Sequence, residues 1–163
     1  MKFLHLTYKI GLVILILTSF SCEKEQSGDL RSEFDRTENE WLTYFSEIGY
    51  QVSELKNEVL LISHVVGCSS CMREIDWWNT EGYIEVDANI SIILIERHEA
   101  TFKNFVENRE FSIPIYWDKM GLVLESKLVQ STPVKLYFDG SGNISELQTL
   151  GAGDLRAFLS SIE

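Results

Sequence analysis

The stretch Val59-Leu60-Leu61-Ile62-Ser63-His64-Val65-Val66-Gly67-Cys68-Ser69-Ser70-Cys71-Met72 decides the fold. Its first eight residues are a nearly unbroken aliphatic and β-branched run, short enough for a strand buried on both faces of a parallel sheet. At Gly67 the period changes. Cys68, Cys71, Met72, Ile75 and Trp78 recur at helical spacing, and Gly82 is expected to stop that helix. Cys68 and Cys71 therefore fall where a strand becomes a helix, on one side of the first turn, where two sulfurs can close a disulfide. The first sulfur there meets unsatisfied backbone N–H groups and the positive end of the helix dipole, which favour thiolate over thiol. A thiolate is the attacking species in disulfide exchange.

Reading outward, Glu38 to Ile48 carries Trp41, Leu42, Phe45 and Ile48 at spacings of three and four, an amphipathic helix closed by Gly49. Ile90 to Ile95 is a second buried strand, followed by a helix around Glu99 to Asn108 with Phe102, Phe105 and Val106 on one face. Alternating strands and helices predict a parallel α/β core with right-handed crossovers. Beyond Pro114 the pattern shortens: Ile115-Tyr116-Trp117 is extended and Gly121 to Leu128 suits a helical turn. Val134 to Phe138 and Ile144 to Leu150 flank Asp139-Gly140-Ser141-Gly142-Asn143 as an antiparallel hairpin. Leu155, Phe158, Leu159 and Ile162 then mark a closing helix that Asp154 is placed to cap. The expected class is α/β, a central mixed sheet with a parallel β-α-β half and a C-terminal antiparallel hairpin plus closing helix.

Composition narrows the function classes. With 163 residues, 45% hydrophobic, 12% aromatic and two prolines, the chain has enough apolar surface for one folded core and too little length for two ordinary domains. Twenty-five acidic against fourteen basic residues give a formal charge of -11, which repels a phosphate backbone and argues against nucleic-acid binding.

Three cysteines, Cys22, Cys68 and Cys71, are an odd count for a disulfide framework. They divide by position. Lys2 and Lys9 precede the apolar run Ile10 to Leu17, which is shorter than the ~20 residues a membrane-spanning helix needs, so residues 1–21 read as a signal peptide. Leu17-Thr18-Ser19-Phe20-Ser21-Cys22 resembles the lipobox of bacterial lipoproteins, with Ser21 and Cys22 in place, Ser19 where the family usually has leucine and Phe20 bulkier than usual. That resemblance implies a diacylated Cys22, whose two acyl chains hold a membrane stably where one does not. Residues 22–37 form a polar tether and 38–163 the domain, which places the expected protein in the cell envelope as a membrane-anchored lipoprotein facing the periplasm or exterior.

The ordered set Cys68-Ser69-Ser70-Cys71 after a buried strand, Ser131-Thr132-Pro133 before a later strand, and the glycine-rich hairpin with its closing helix resembles the thioredoxin-like superfamily. Within it, the similarity is to the membrane-anchored, TlpA-like thiol–disulfide oxidoreductases, and it covers roughly residues 59–163. The resemblance implies that Cys68 is the exposed nucleophile, that Cys71 resolves the mixed disulfide, and that Pro133 is cis with Thr132 offering its backbone to substrate. It also implies protein thiols or disulfides of the envelope as partners, an upstream thiol electron donor, no cofactor, and reduction in preference to oxidation. The chain departs from the family in having Gly67 where tryptophan is common, Ser70 where proline is common, and Ile62 at the place of the buried acid found in thioredoxins. Arg73 favours a neighbouring thiolate while Glu74 and Asp76 oppose it.

Other uses of the cysteines remain open at the level of sequence. A structural zinc site needs four ligands, and beyond the one Cys-x-x-Cys only His64 and His98 are at hand, so no metal site is assigned. His64 reads as a core histidine within the strand and His98 as a surface residue. Trp77 and Trp78 read as packing residues, one toward the core. A thioredoxin-like copper-binding chaperone or a non-catalytic binding module are the alternatives to an exchange enzyme.

Overall fold

The computed structural model describes residues 36–162, so the expected signal peptide, Cys22 and residues 22–35 of the tether lie outside the described residues. Helix α1 (Glu38–Glu47) starts on a capping box, in which the Glu40 N–H reaches the Thr37 side chain while the Glu40 carboxylate accepts from the Thr37 N–H. Trp41, Tyr44 and Phe45 bury its apolar stripe.

Strand β1 (Glu58–His64) is buried over its length except at His64. It leads through a short loop into α2 (Ser69–Trp77), a π-helical turn at Trp78–Gly82 and the single turn α3 (Tyr83–Glu85). Strand β2 (Asn89–Ile95), α4 (Glu99–Glu107), β3 (Ile115–Asp118) and α5 (Leu122–Glu125) follow, then the hairpin β4 (Val134–Phe138) and β5 (Ile144–Thr149), closed by α6 (Leu155–Ser161). The Asp154 side chain accepts from the N–H groups of Arg156 and Ala157, the cap expected of it.

The strands form one sheet in the order β3-β2-β1-β4-β5. β1 is parallel to β2 and β2 to β3, whereas β4 runs antiparallel to both β1 and β5. This is the mixed sheet expected from the run order. Alternate residues of β1 and β2 point to opposite faces, as a pleated strand requires. Leu60, Ile62, Ile93 and Ile95 pack against α1 and α5, while Val59, Leu61, Ile92 and Leu94 pack under α2, α4 and α6. Two buried layers explain why neither central strand shows a polar face.

Two expectations are corrected. Gly82 does not stop the cysteine helix: its backbone is right-handed and helical, and the chain turns on to Glu85. The glycine is there because a Cβ would lie 2.6 Å from the Trp77 ring and 2.7 Å from the Trp78 ring. His64 is not a core histidine, because β1 ends at it and its side chain is exposed.

Helix α1 is tied to the sheet by a buried acid. Asp118, with no exposed surface, accepts backbone N–H groups of Gly121, Leu122 and Val123 at 2.8, 2.9 and 2.9 Å and the Tyr44 hydroxyl at 3.2 Å. Burial, reinforced by the Asp118 charge, holds the Tyr44 phenol well above its ordinary range, so it acts as a donor at every working pH. Asp118→Ala orphans the buried Tyr44 and Val123 donors, while the part-buried Gly121 and Leu122 N–H groups can turn to water, and it is expected to cost about 3 kcal/mol in urea unfolding, since each buried unsatisfied group costs about 1–3 kcal/mol.

A second buried acid lies at the start of β1. Glu58 accepts a hydrogen bond from the Ser91 hydroxyl, and burial raises its carboxyl above the usual 4.5 despite that bond. A carboxyl raised on folding supports the fold below its unfolded value and loses that support as pH climbs through the folded value. Thermal melts of wild type and Glu58→Gln across pH are therefore expected to diverge above pH 4.5 in the variant's favour, whereas parallel curves would deny the linkage.

Candidate active site

β1 delivers the chain to the cysteine pair. Past His64, the Val65 N–H still reaches the Ile95 carbonyl at 3.4 Å, and Gly67 turns the backbone at φ +126°. Cys68 then becomes the N-cap of α2, with its Sγ accepting the Cys71 N–H at 3.2 Å and lying 3.4 Å from the Ser70 hydroxyl. Cys68 and Cys71 are joined as a disulfide, Cα to Cα 5.2 Å.

The two sulfurs are unequal. Cys71 has no exposed surface, while Cys68 is half-buried. The amide and hydroxyl donors at Cys68 stabilise negative charge on its sulfur. Cys71 Sγ instead lies 3.3 Å from the Leu150 carbonyl, an acceptor to which only a protonated thiol can donate. Once reduced, the pair has one sulfur set for the anion and one set for the neutral form.

Thr132 and Pro133 arrive from the other half of the sheet. The Thr132–Pro133 peptide is cis. Val134 pairs with Ile62, so the residues preceding β4 lie at the end of β1 from which Cys68 departs. The Pro133 carbonyl accepts the Leu150 N–H at 3.3 Å, and Leu150 in turn touches Cys71. Cys68, Cys71 and Pro133 thus meet at one end of the sheet, with Thr132 half-buried beside them.

Lys135 and Gly151 escape sequence reading here, and Glu74, which the sequence offers only as a charge opposing the thiolate, has a partner that it does not reveal. Glu74, one turn past Cys71, is 10% exposed at its side chain; its Oε1 is 2.6 Å from Lys135 Nζ, and it also accepts the Gly151 N–H and the Trp78 indole N–H. Lys135 has no exposed surface, and its ammonium also stands 5.2 Å from the Phe158 ring centre. Gly151, at φ +82°, rides on the cysteine helix so closely that a Cβ would fall 2.5 Å from the Cys71 nitrogen. The signals were present but faint. Lys135 is the one charge in Val134-Lys135-Leu136-Tyr137-Phe138, and Glu74 shares the helical stripe of Cys71 and Trp78. The other two charges of the cysteine helix face outward, Arg73 exposed and Asp76 engaged by Arg109 at 3.3 Å.

Trp78 is fully buried and Trp77 half-buried, the division expected of adjacent aromatics. His64 and His98 both line a cleft of about 510 Å³ with Met120 and Leu124. Among the described residues no group of three or more His, Cys, Asp or Glu side chains is arranged to hold a metal.

The arrangement of strands and helices is shared with solved proteins. StoA from Bacillus subtilis superposes with a TM-score of 0.55 at 14% identity, covering 68% of this chain and 85% of that one. The fold is thioredoxin-like. A secreted Mycobacterium tuberculosis disulfide oxidoreductase homologous to DsbE of E. coli matches at 0.52 and 13% identity, covering 66% of this chain and 82% of its own. The thioredoxin domain of a Bacteroides vulgatus thiol-disulfide oxidoreductase matches at 0.51 and 18%, covering 65% and 79%. No protein-family model and no curated protein matches the sequence. The backbone fold is thus held in common while most side chains differ. No helix among the described residues is long and apolar enough to cross a membrane.

Proposed function

We propose that the protein is a thiol–disulfide oxidoreductase that reduces disulfides of exported proteins through Cys68 and Cys71. The observation that carries this reading is the inequality of the two sulfurs: a half-buried Cys68 that accepts the Cys71 N–H beside the Ser70 hydroxyl, and a sealed Cys71 against a carbonyl. In the reduced protein the Cys68 thiolate attacks one sulfur of a substrate disulfide, forming a Cys68–substrate bond and releasing the other sulfur as a thiolate that takes a proton from water. Cys71 then loses its proton and attacks Cys68 Sγ, which releases the second substrate sulfur and leaves the Cys68–Cys71 disulfide. Two electrons have passed to the substrate, and a dithiol donor must restore them. Thr132 and Pro133, at the same end of the sheet, offer the substrate a backbone edge beside the sulfurs.

The envelope setting rests on the sequence of the first 22 residues: a signal peptide through residue 21 and a lipidated Cys22 that anchors the domain through its tether. Labelled fatty acid is expected in the wild-type protein and absent from Cys22→Ala; equal labelling of the two would remove the anchor from the proposal. The activity is tested with purified protein, a dithiol and a model protein disulfide. Acceleration over the dithiol alone supports the assignment, and an unchanged rate sinks it.

A further inference from the structure

Lys135 is an anomaly of the β4 strand: an ammonium with no exposed surface, two residues after Pro133, on an interior strand of a five-stranded sheet. Such a charge is retained only when paired and hydrogen-bonded, and its partner here is Glu74 at 2.6 Å. Glu74 belongs to the redox centre. It stands one turn beyond Cys71 on α2, and its second oxygen accepts the N–H of Gly151, whose backbone presses on Cys71. Leu150, the neighbour of Gly151, supplies the carbonyl at the Cys71 sulfur. Lys135, Glu74 and the Leu150–Gly151 turn therefore form a chain of contacts that begins on the proline strand and ends at Cys71.

We propose that Lys135 is a positioning residue for the resolving step: it anchors and neutralises Glu74, so that Cys71 loses its proton in a site without net charge. The proposal deepens the exchange reading above and rests on it. Resolution places negative charge on a sulfur sealed from water. A lone carboxylate one turn away opposes that charge with little solvent to screen it, and a full charge in a dry site outweighs the weak hydrogen bond between a thiol and the Leu150 carbonyl. The ammonium cancels the carboxylate and fixes it on the Gly151 amide. Among the described residues Lys135 is the one cation paired with Glu74. From the other elements packed here, α6 contributes the Phe158 ring and the turn before it the Gly151 amide. The remaining charges on these elements, Arg73 and Asp76 on α2, Glu146 on β5, and Asp154 and Arg156 at the start of α6, are exposed or half-buried.

The test separates attack from resolution. Reduced protein is mixed with 5,5′-dithiobis(2-nitrobenzoate) in a stopped-flow instrument; attack by Cys68 releases one coloured thiolate and resolution by Cys71 releases the second. The two protein thiols give up two electrons and two protons, and the reagent disulfide becomes two thiolates. Lys135→Met is expected to slow the second phase about tenfold at neutral pH and move its pH midpoint about one unit upward, with a smaller change in the first phase. Adding Glu74→Gln removes the unpaired charge while leaving an oxygen for the Gly151 amide, and the second phase is expected to return to within about threefold of wild type. A midpoint unmoved by Lys135→Met, in a variant whose melting temperature shows that it is folded, would overturn the proposal. So would a slow second phase that Glu74→Gln fails to rescue. Should Lys135→Met not fold, the double variant decides alone: its pH midpoint must match wild type. Wild-type protein without any second phase would overturn the exchange reading itself, a result distinct from either of these.

Discussion

Cys71→Ser is expected to accumulate as a covalent complex with its protein substrate, and Cys68→Ser to reduce that substrate no faster than the dithiol alone. The two variants differ because the sulfurs differ in place. Cys68 is the half-buried N-cap whose sulfur accepts the Cys71 N–H, so its thiolate is both stabilised and reachable. Cys71 has no exposed surface, so no protein substrate touches it before Cys68 has reacted. Without Cys71 the mixed disulfide has no internal attacker and must wait for an external thiol. Non-reducing gels of cells expressing Cys71→Ser show the complexes as shifted bands that a reductant collapses, and mass spectrometry of those bands names the partners. A pattern identical for Cys68→Ser and Cys71→Ser would mean that the sulfurs are interchangeable and the asymmetry idle.

Gly151→Ala is expected to be the most damaging single-methyl addition at the redox centre. At φ +82° an alanine is strained by about 1–3 kcal/mol. Its Cβ would also sit 2.5 Å from the Cys71 nitrogen and 2.8 Å from its Cα, atoms of a helix backbone that cannot swing aside, which adds about 1–3 kcal/mol of overpacking. Gly67 provides the control. It too has a positive φ, +126°, but nothing lies within 4 Å of where its Cβ would be, so Gly67→Ala carries strain without a clash. Urea unfolding of the two variants is expected to rank Gly151→Ala lower in stability, with loss of exchange activity. Equal stabilities would show that the Leu150–Gly151 turn can move off the cysteine helix at no cost.

Much of this arrangement is legible in the sequence. The run from Val59 gave β1, the period change at Gly67 put both cysteines at its exit, and the glycine-rich turn between Val134 and Leu150 gave the hairpin. These signals are local, carried by periodicity and turn residues that mean the same in any fold. Glu74 and Lys135 were harder because their meaning is not local. They are sixty-one residues apart, and each looks like an ordinary surface charge until β4 is laid beside β1. Gly82 misled for a related reason. Glycine ends helices when it adopts a left-handed backbone, but here it makes room for two indole rings, a demand of packing that no spacing rule expresses. The apolar run to Val66 sets His64 inside its strand, whereas the paired register ends at His64 and a single hydrogen bond, from the Val65 N–H to the Ile95 carbonyl, lies beyond it.

The central claim is that Cys68 and Cys71 are a working exchange couple and not a structural clasp. Equilibrating the folded protein in buffers of graded ratio of reduced to oxidised dithiothreitol, then blocking free thiols and weighing the product, tests this most directly. The account predicts a single reversible two-electron transition, with both cysteines blocked at one end, neither at the other, and the fold intact throughout. A pair that stays oxidised in excess dithiothreitol until the protein is unfolded would contradict it.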